Sequence, residues 1–196
     1  MEKRVFFSFH YQDVIDFRAN VVRNHWRMKP NREQAGYFDA SIWEEARKKG
    51  DIGLKRLING GLTNTSTTCV LIGSQTYLRP WVRYEIFKSF KRENHLLGVH
   101  INSIKGKDSA TKELGKNPFD YLAVEWSESG KIVTMFELKN GKWNPYTQID
   151  GSASYGLENL APVEYRGKFI QLSKLKAVYD WVENDGYNNF SDWMEG

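Results

Sequence analysis

Short apolar runs that alternate with helical segments constrain the fold of this chain more than any other feature. Runs at residues 4–9, 69–72 and 96–101 are long enough for buried strands. Between them, apolar side chains recur at three- and four-residue intervals, which is the spacing of amphipathic helices. Strands that alternate with helices form parallel sheets with helices on both faces. The sequence therefore predicts a doubly wound α/β fold with the first strand inside the sheet.

Individual elements of this pattern have their own signals. A fourth, shorter strand is predicted at residues 37–40. Asp13 is the predicted N-cap of one helix that spans the apolar positions between residues 14 and 26. Pro80 fits the first turn of a helix that extends to about residue 93, because the missing N–H of proline is not needed there. Each helix then connects two strands of the parallel sheet.

The pattern changes after residue 103. Three runs with strand character follow at residues 121–126, 132–138 and 143–146. Asn140-Gly141 lies between the last two runs, and this dipeptide is typical of a two-residue β-hairpin turn. We therefore predict an antiparallel ribbon that is attached to the α/β unit.

The last part of the chain carries weaker signals. Residues 168–172 are predicted to form a strand, and apolar residues between 175 and 182 predict a final amphipathic helix that ends near Gly186. No linker is long enough to separate two independent domains. We expect an α/β core at residues 1–125, with the ribbon and helix of residues 126–196 packed on the same domain.

Composition narrows the classes of protein that fit. Cys69 is the only cysteine and lies inside a predicted strand, which excludes an intramolecular disulfide framework. No apolar run approaches membrane-spanning length, and the N-terminus becomes charged too early for a signal peptide. We therefore expect a cytoplasmic protein that does not contact a membrane. The net charge of +4 is spread along the chain, so nucleic-acid binding is allowed but not indicated.

Several familiar motifs of enzymes are missing from the sequence. The chain has neither a G-x-x-x-x-G-K-[ST] phosphate loop nor a G-x-G-x-x-G turn after the first strand, which argues against an ATPase or a redox dinucleotide enzyme. Its four histidines and single cysteine do not follow the spacing of a zinc site. No metal site is predicted.

The stretch at residues 74–88, SQTYLRPWVRYEIFK, carries the best candidate site. Trp81 and Glu85 fall one helical turn apart and lie close to the carboxyl end of a strand, where open α/β sheets bind ligands. Asp39 ends a predicted strand near the same edge, although capping the next helix explains it equally well. Spacing alone favours a simpler interpretation, with Trp81 in the core and Glu85 as a solvated helix charge.

Two segments resemble a known family. The segment at residues 5–13, VFFSFHYQD, is similar to the first-strand signature of bacterial Toll/interleukin-1 receptor (TIR) domains. The chain also resembles the later TIR pattern, in which serine and tyrosine precede Trp-x-x-x-Glu, at Ser74, Tyr77, Trp81 and Glu85. Over its full length it resembles the TIR-like proteins of the Thoeris anti-phage systems. The resemblance implies a flavodoxin-like parallel sheet, extended here by the ribbon and the C-terminal helix.

The chain departs from the family pattern at two places. Arg79 stands where many TIR domains have a small polar residue, and the polar segment before Tyr37 lacks the loop signature of receptor TIR domains. These departures leave the pair of Trp81 and Glu85 intact. They argue against the recruitment of adaptor proteins in the manner of receptors.

What the resemblance implies for activity is cleavage of NAD between nicotinamide and ribose, with NAD as the substrate and no separate cofactor. It implies that a phage-derived trigger switches on the enzyme, and that a cyclised ADP-ribose isomer then diffuses to a separate effector protein. Glu85 is the implied catalytic residue, and it is expected to be ionised at neutral pH in the absence of a strong perturbation. Trp81 would orient Glu85, and the nicotinamide–ribose pocket would be lined by Phe6, Ser8 and Tyr11, with Asp39 as a further substrate-binding candidate.

Two other classes of function stay open at this point. A TIR fold can serve as an interaction module without catalysis, in which case Glu85 is an ordinary surface charge. The basic and aromatic surface could instead bind single-stranded nucleic acid. Whether the active form is a homo-oligomer also stays open.

Overall fold

The computed structural model describes residues 3–36, 38 and 40–195, and within them it contains two β-sheets and six α-helices. Short 3-10 turns join several of these elements. The elements are, in chain order, β1 (Lys3–Ser8), α1 (Tyr11–Ile15), α2 (Arg18–Arg27), β2 (Arg32–Ala35), α3 (Ala40–Lys48), α4 (Gly50–Leu62), β3 (Thr67–Ile72), α5 (Pro80–Lys91), β4 (His95–His100), β5 (Leu122–Trp126), β6 (Ile132–Lys139), β7 (Lys142–Pro145), β8 (Ser154–Gly156), β9 (Phe169–Gln171), β10 (Val178–Asp180) and α6 (Gly186–Trp193).

The first sheet confirms the predicted doubly wound architecture. Its five strands follow the order β10-β4-β3-β1-β2, and every pair is parallel. β1 is hydrogen-bonded on both sides, as predicted. Alternate side chains of β1 point to opposite faces, so Phe6 packs with residues of α4 and α5, whereas Phe7 packs with residues of α2 and α6. Both faces of the sheet are therefore covered by helices.

The strand that follows the first helical segment lies earlier than predicted. β1 pairs with β2 at residues 32–35, and Ala40 already begins α3. Tyr37 and Asp39, which belong to the predicted strand at 37–40, lie outside the described residues. β2 has the sequence REQA and is an edge strand, where exposed polar side chains are tolerated. An apolar pattern could not reveal it for this reason.

The single helix predicted after β1 is broken into α1 and α2. Phe17 takes a left-handed backbone conformation, with φ of 67°, between the two helices. The break turns the side chain of Arg18 inward, where its Nε donates to the carbonyl oxygen of Ile104 at 2.9 Å and its Nη2 donates to that of Ala110 at 2.7 Å. Asp13 is correspondingly a buried residue inside α1 and not an N-cap.

The final helix predicted at residues 175–186 is wrong. Residues 178–180 form β10, which extends the parallel sheet beside β4, and the last helix, α6, begins only at Gly186. The ring of Tyr179 stacks on that of Trp193 in α6, with centroids 4.2 Å apart. A short strand whose partner lies about eighty residues earlier leaves no periodic signal in its own sequence.

The predicted division of the chain near residue 125 stays a prediction. The chain returns to the first sheet after that point, because β10 pairs with β4.

The second sheet is the predicted antiparallel ribbon in a larger form. Its strands follow the order β7-β6-β5-β9, β8 also pairs with β6, and every pair is antiparallel. Asn140 and Gly141 have φ of 50° and 72°, as the predicted hairpin turn between β6 and β7 requires. Phe87 of α5 packs on Tyr146 with ring centroids 4.8 Å apart, so α5 lies between the two sheets.

Two further findings concern predictions from composition. Cys69 is a free, fully buried thiol, and burial raises its pKa, which makes it an inert core residue. Within the described part of the chain, no helix combines the length and apolarity that crossing a membrane demands.

Candidate active site

A cavity of about 340 Å³ lies at the carboxyl end of β1 and the amino end of α5. Ligands bind at this edge in open parallel sheets. Its walls come from the segment after β1, from α3 and the residues before it, and from the first turns of α5. The described residues that line it are Phe9, His10, Tyr11, Gly36, Phe38, Trp43, Arg47, Arg79, Pro80, Trp81, Val82 and Glu85.

Glu85 reaches this cavity from the second turn of α5. Pro80 occupies the first turn of that helix, so the direction and register of α5 are fixed close to its start. The Glu85 side chain is 6% exposed, and Ser8 Oγ donates a hydrogen bond of 2.5 Å to its Oε2. Ser8 is the last residue of β1 and points to the same face as Phe6, toward α5. Strand β1 therefore supplies the polar partner for the carboxyl group of α5.

The electrostatics of Glu85 differ from the expectation drawn from the sequence. Burial raises the pKa of the Glu85 carboxyl from 4.5 to about 8, and the hydrogen bond from Ser8 offsets only part of that rise. A carboxyl with this pKa is mostly protonated at pH 7. The expectation of an ionised Glu85 applied in the absence of a strong perturbation, and that condition is not met here. The polar partner is a hydroxyl group and brings no positive charge that would offset burial.

Trp81 forms the wall of the cavity one turn before Glu85. Its half-buried ring meets that of Tyr84 edge to face, with centroids 5.7 Å apart. The Tyr84 hydroxyl donates to Asn59 Oδ1 at 3.1 Å, which ties this aromatic pair to α4. The opposite side of Trp81 and Pro80 lines a second cavity of about 360 Å³. Trp81 therefore lies between two cavities, and it lines the first of them together with Glu85.

The structure brings some of the other predicted residues together and separates others. Tyr11, with 47% of its surface exposed, lies at the cavity as predicted from the resemblance. Ser8 contacts Glu85 from beneath and is only 1% exposed. Phe6 is fully buried in the core below Gly36 and does not line the cavity, because the strand pleat directs its ring into the space between β1 and α4. Asp39 lies outside the described residues.

Sequence reasoning missed several side chains that line the cavity. Phe38 and Trp43 stack with ring centroids 6.4 Å apart and form an aromatic wall. Arg47 extends from α3, and Arg79 lies at the start of α5. His10 lies beside them, and its pKa is lowered by burial and by the charge of Arg79. Of these residues, Arg79 departs from the family pattern and His10 follows the first strand, so these two had a signal in the sequence. The wall from α3 depends on a loop with no motif.

The fold and this site together define a TIR-like protein. The evidence is a flavodoxin-like parallel sheet in which Trp81 and Glu85 of one helix face a cavity beyond the end of the first strand. A family model described as "Thoeris protein ThsB, TIR-like domain" matches residues 6–105.

Comparison with a curated relative extends the match to the whole chain. The chain is 58% identical over 194 residues to a Bacillus cereus (strain MSX-D12) protein named "Putative cyclic ADP-D-ribose synthase ThsB1", covering 99% of this chain and 100% of the relative. The chain belongs to the ThsB family of TIR-like Thoeris proteins.

Proposed function

We propose that this protein cleaves NAD at the bond between nicotinamide and ribose and cyclises the ADP-ribose moiety into a signalling nucleotide. The observation that carries the proposal is the buried Glu85 carboxyl beside Ser8 in a cavity at the ligand edge of the sheet. The printed name of the relative, a cyclic ADP-D-ribose synthase, supports the same class of reaction. NAD is the substrate, and the proposed reaction uses no separate cofactor.

The proposed chemistry needs few protein groups. The bond between C1′ of the ribose and the pyridine nitrogen breaks, and its electron pair leaves with nicotinamide. Nicotinamide departs as a neutral molecule, so the leaving group needs no general acid of the kind that glycosidases supply. Positive charge develops on C1′ and the ring oxygen, where a Glu85 carboxylate would stabilise it. A nucleophilic group of the ADP-ribose moiety then bonds to C1′ and releases a proton, which closes the ring.

The protonation state of Glu85 ties catalysis to the presence of substrate. The nicotinamide ring of NAD carries a positive charge, and a positive charge close to a buried carboxyl favours its ionised form. Binding of NAD would therefore release the proton that burial holds on Glu85. Glu85 would thus be protonated before NAD binds and ionised in the complex with NAD, as stabilisation of the transition state requires.

The aromatic walls fit the cyclising branch of the reaction. Trp81 on α5 and the stacked pair of Phe38 and Trp43 enclose the cavity with apolar surface. Exclusion of water favours attack by a group of the substrate itself, which is already held near C1′. We propose that the cyclic product diffuses to a separate effector and that a phage-derived trigger activates the enzyme.

The proposal is tested by small-molecule analysis of infected cells that express this protein without an effector. Wild-type protein should yield a cyclic ADP-ribose isomer, and Glu85→Gln should lower its yield by about a hundredfold to a thousandfold, which is typical for the loss of one electrostatic contact in a transition state. Glu164→Gln is the matched control, because Glu164 is exposed on a distant 3-10 turn. Near wild-type yield from a folded Glu85→Gln protein would exclude Glu85 as the catalytic residue, whereas absence of the cyclic product from cells with wild-type protein would favour the interaction module without catalysis.

A further inference from the structure

The described side chains give the cavity beside Glu85 an excess of positive charge. Arg47 and Arg79 line it, and guanidinium groups stay protonated in proteins. Burial holds the Glu85 carboxyl neutral at pH 7, so it does not balance them. His10 adds no negative charge. Among the described residues, the walls therefore present two cations and no anion to a ligand.

The second cavity, behind Trp81, does not share this excess of positive charge. Its charged lining residues are two acids and two lysines, namely Asp51, Glu137, Lys55 and Lys139. Lys139 Nζ lies 3.1 Å from Glu137 Oε1, so one lysine is already neutralised by a lining acid. The two cavities are similar in volume, yet only the one that contains Glu85 is set up for an anionic group.

Arg79 is the more confined of the two arginines. It is the residue before the first turn of α5, and its Nη2 donates to Gln75 Oε1. Its Nε is buried and has no hydrogen-bond partner among the described residues. A buried guanidinium donor without an acceptor is costly, and a rotation of the Arg79 side chain that brings this donor to an anion in the cavity would relieve that cost. The positive end of the α5 dipole lies at the same wall and favours the same charge.

Arg47 approaches from the opposite wall. Its Nη1 lies 3.5 Å from Glu44 Oε1 one turn earlier in α3, and the Arg47 side chain is 69% exposed. An exposed pair of this kind contributes little to stability, so Arg47 can exchange Glu44 for a ligand at small cost. Both arginines line the cavity, so an anion bound between α3 and α5 would lie beside both side chains.

We propose that Arg79 and Arg47 bind the diphosphate group of NAD and fold its adenosine half back toward the ribose at Glu85. The inference rests on the proposed function and deepens it. Guanidinium groups bind phosphate oxygens through paired, charge-assisted hydrogen bonds, which fix orientation as well as position. A diphosphate held in the same cavity as Glu85 keeps the adenosine end close to C1′, where ring closure takes place. Arg79 is then a positioning residue that favours cyclisation over attack by water.

Calorimetric titration of the full-length protein tests the binding step with ADP-ribose and adenosine as probes. Arg79→Gln and Arg47→Gln should each weaken ADP-ribose binding by about tenfold to a hundredfold, the range for a hydrogen bond to a charged group, and should leave adenosine binding unchanged. The affinity of Arg79→Lys for ADP-ribose should lie between those of wild type and Arg79→Gln, because lysine keeps the positive charge but lacks the paired N–H donors of the guanidinium group. Arg56→Gln, an exposed arginine on α4, is the control and should change neither affinity.

Product analysis in infected cells separates a positioning role from a structural one. Arg79→Gln should raise the ratio of linear ADP-ribose to the cyclic isomer by about tenfold. The inference is overturned if Arg79→Gln binds ADP-ribose like wild type, if it weakens ADP-ribose and adenosine equally, or if wild-type protein does not bind ADP-ribose. The proposed function survives each of these results as long as wild type makes the cyclic product and Glu85→Gln does not.

Discussion

Two buried glutamates lie on opposite sides of the wall that Trp81 forms, and their surroundings differ completely. Glu137, at 9% exposure, receives Arg83 Nη1 on its Oε2 at 2.8 Å and Lys139 Nζ on its Oε1 at 3.1 Å. Glu85, at 6% exposure, has the Ser8 hydroxyl as its hydrogen-bond partner, and its pKa rises to about 8. Similar burial thus accompanies a carboxyl group with two salt-bridge partners in one place and a carboxyl group with a raised pKa in the other.

The comparison predicts its largest effect on the paired side. Arg83→Met removes the guanidinium from Glu137 and leaves a buried carboxylate with Lys139 alone, so the free energy of unfolding should fall by about 3 to 5 kcal/mol. Chemical denaturation of the purified variant measures this loss. Joint replacement of Arg83 and Glu137 by Met and Leu should recover most of it. A change below 1 kcal/mol in Arg83→Met would mean that the pair is not a structural anchor.

Removal of the wall between the two glutamates should affect both stability and activity. Trp81→Ala deletes a half-buried ring, so the expected loss of about 2 kcal/mol lies below the range for a fully buried tryptophan. The yield of cyclic product should fall as well, because the support of Glu85 is lost. Trp143, half-buried on β7 away from the cavity, offers a matched control. Trp143→Ala should lower the melting temperature without changing the yield per folded protein.

Glu85, which has no salt-bridge partner among the described residues, should lower the stability of the fold as the pH rises. The folded protein holds the Glu85 proton up to about pH 8, whereas an unfolded glutamate releases it near its ordinary pKa of 4.5. The folded state binds more protons between these values, so this stabilising contribution is complete below pH 4.5 and declines as the pH rises to 8. The free energy of unfolding contributed by Glu85 should decline by roughly 1 kcal/mol per pH unit over this range.

Glu85→Gln isolates this contribution, because every other titrating group is common to both proteins. The variant should gain stability relative to wild type as the pH rises from 5 to 8, as measured by denaturation at matched pH values. Asp13, whose pKa burial raises to about 6, contributes equally to both proteins and cancels. Parallel stability curves would contradict the raised pKa.

The smallest expected effect concerns the hydroxyl partner. Ser8→Ala removes the hydrogen bond that partly offsets burial, so the pKa of Glu85 should rise further. The rate of product formation at pH 7 should fall by about fivefold, corresponding to about 1 kcal/mol for one hydrogen bond. Ser8→Thr keeps the hydroxyl and should retain more of the rate than Ser8→Ala. Equal rates for the alanine and threonine variants would show that the Ser8 hydroxyl group does not contribute to the reaction.

The same contrast shows what could be predicted from sequence. The spacing of Trp81 and Glu85 and the position of Pro80 are local, so the helix and the shared face of that pair were confirmed. The contact between Ser8 and Glu85 joins residues that are 77 positions apart, and no local pattern encodes such a contact. The elevated pKa follows from that packing, which explains why the sequence suggested an ionised carboxylate.

Errors in the predicted fold have the same physical origin. β2 is polar because it is an edge strand, and β10 is recognisable only through its pairing with β4. The apolar runs of β1, β3 and β4 are buried on both faces and carry their own signal. The centre of the sheet could thus be predicted from sequence, whereas its edges and the cavity wall from α3 could not.

We propose that Glu85 is a neutral acid in the free protein and becomes a carboxylate when NAD binds. Carbon-13 NMR of the Glu85 side-chain carboxyl, assigned by comparison with Glu85→Gln, measures this directly across pH 4 to 9. We expect a midpoint of about 8 in the protein without NAD and a lower midpoint when NAD is bound. A midpoint near the ordinary value of 4.5 in the empty protein, unchanged by NAD, would contradict it.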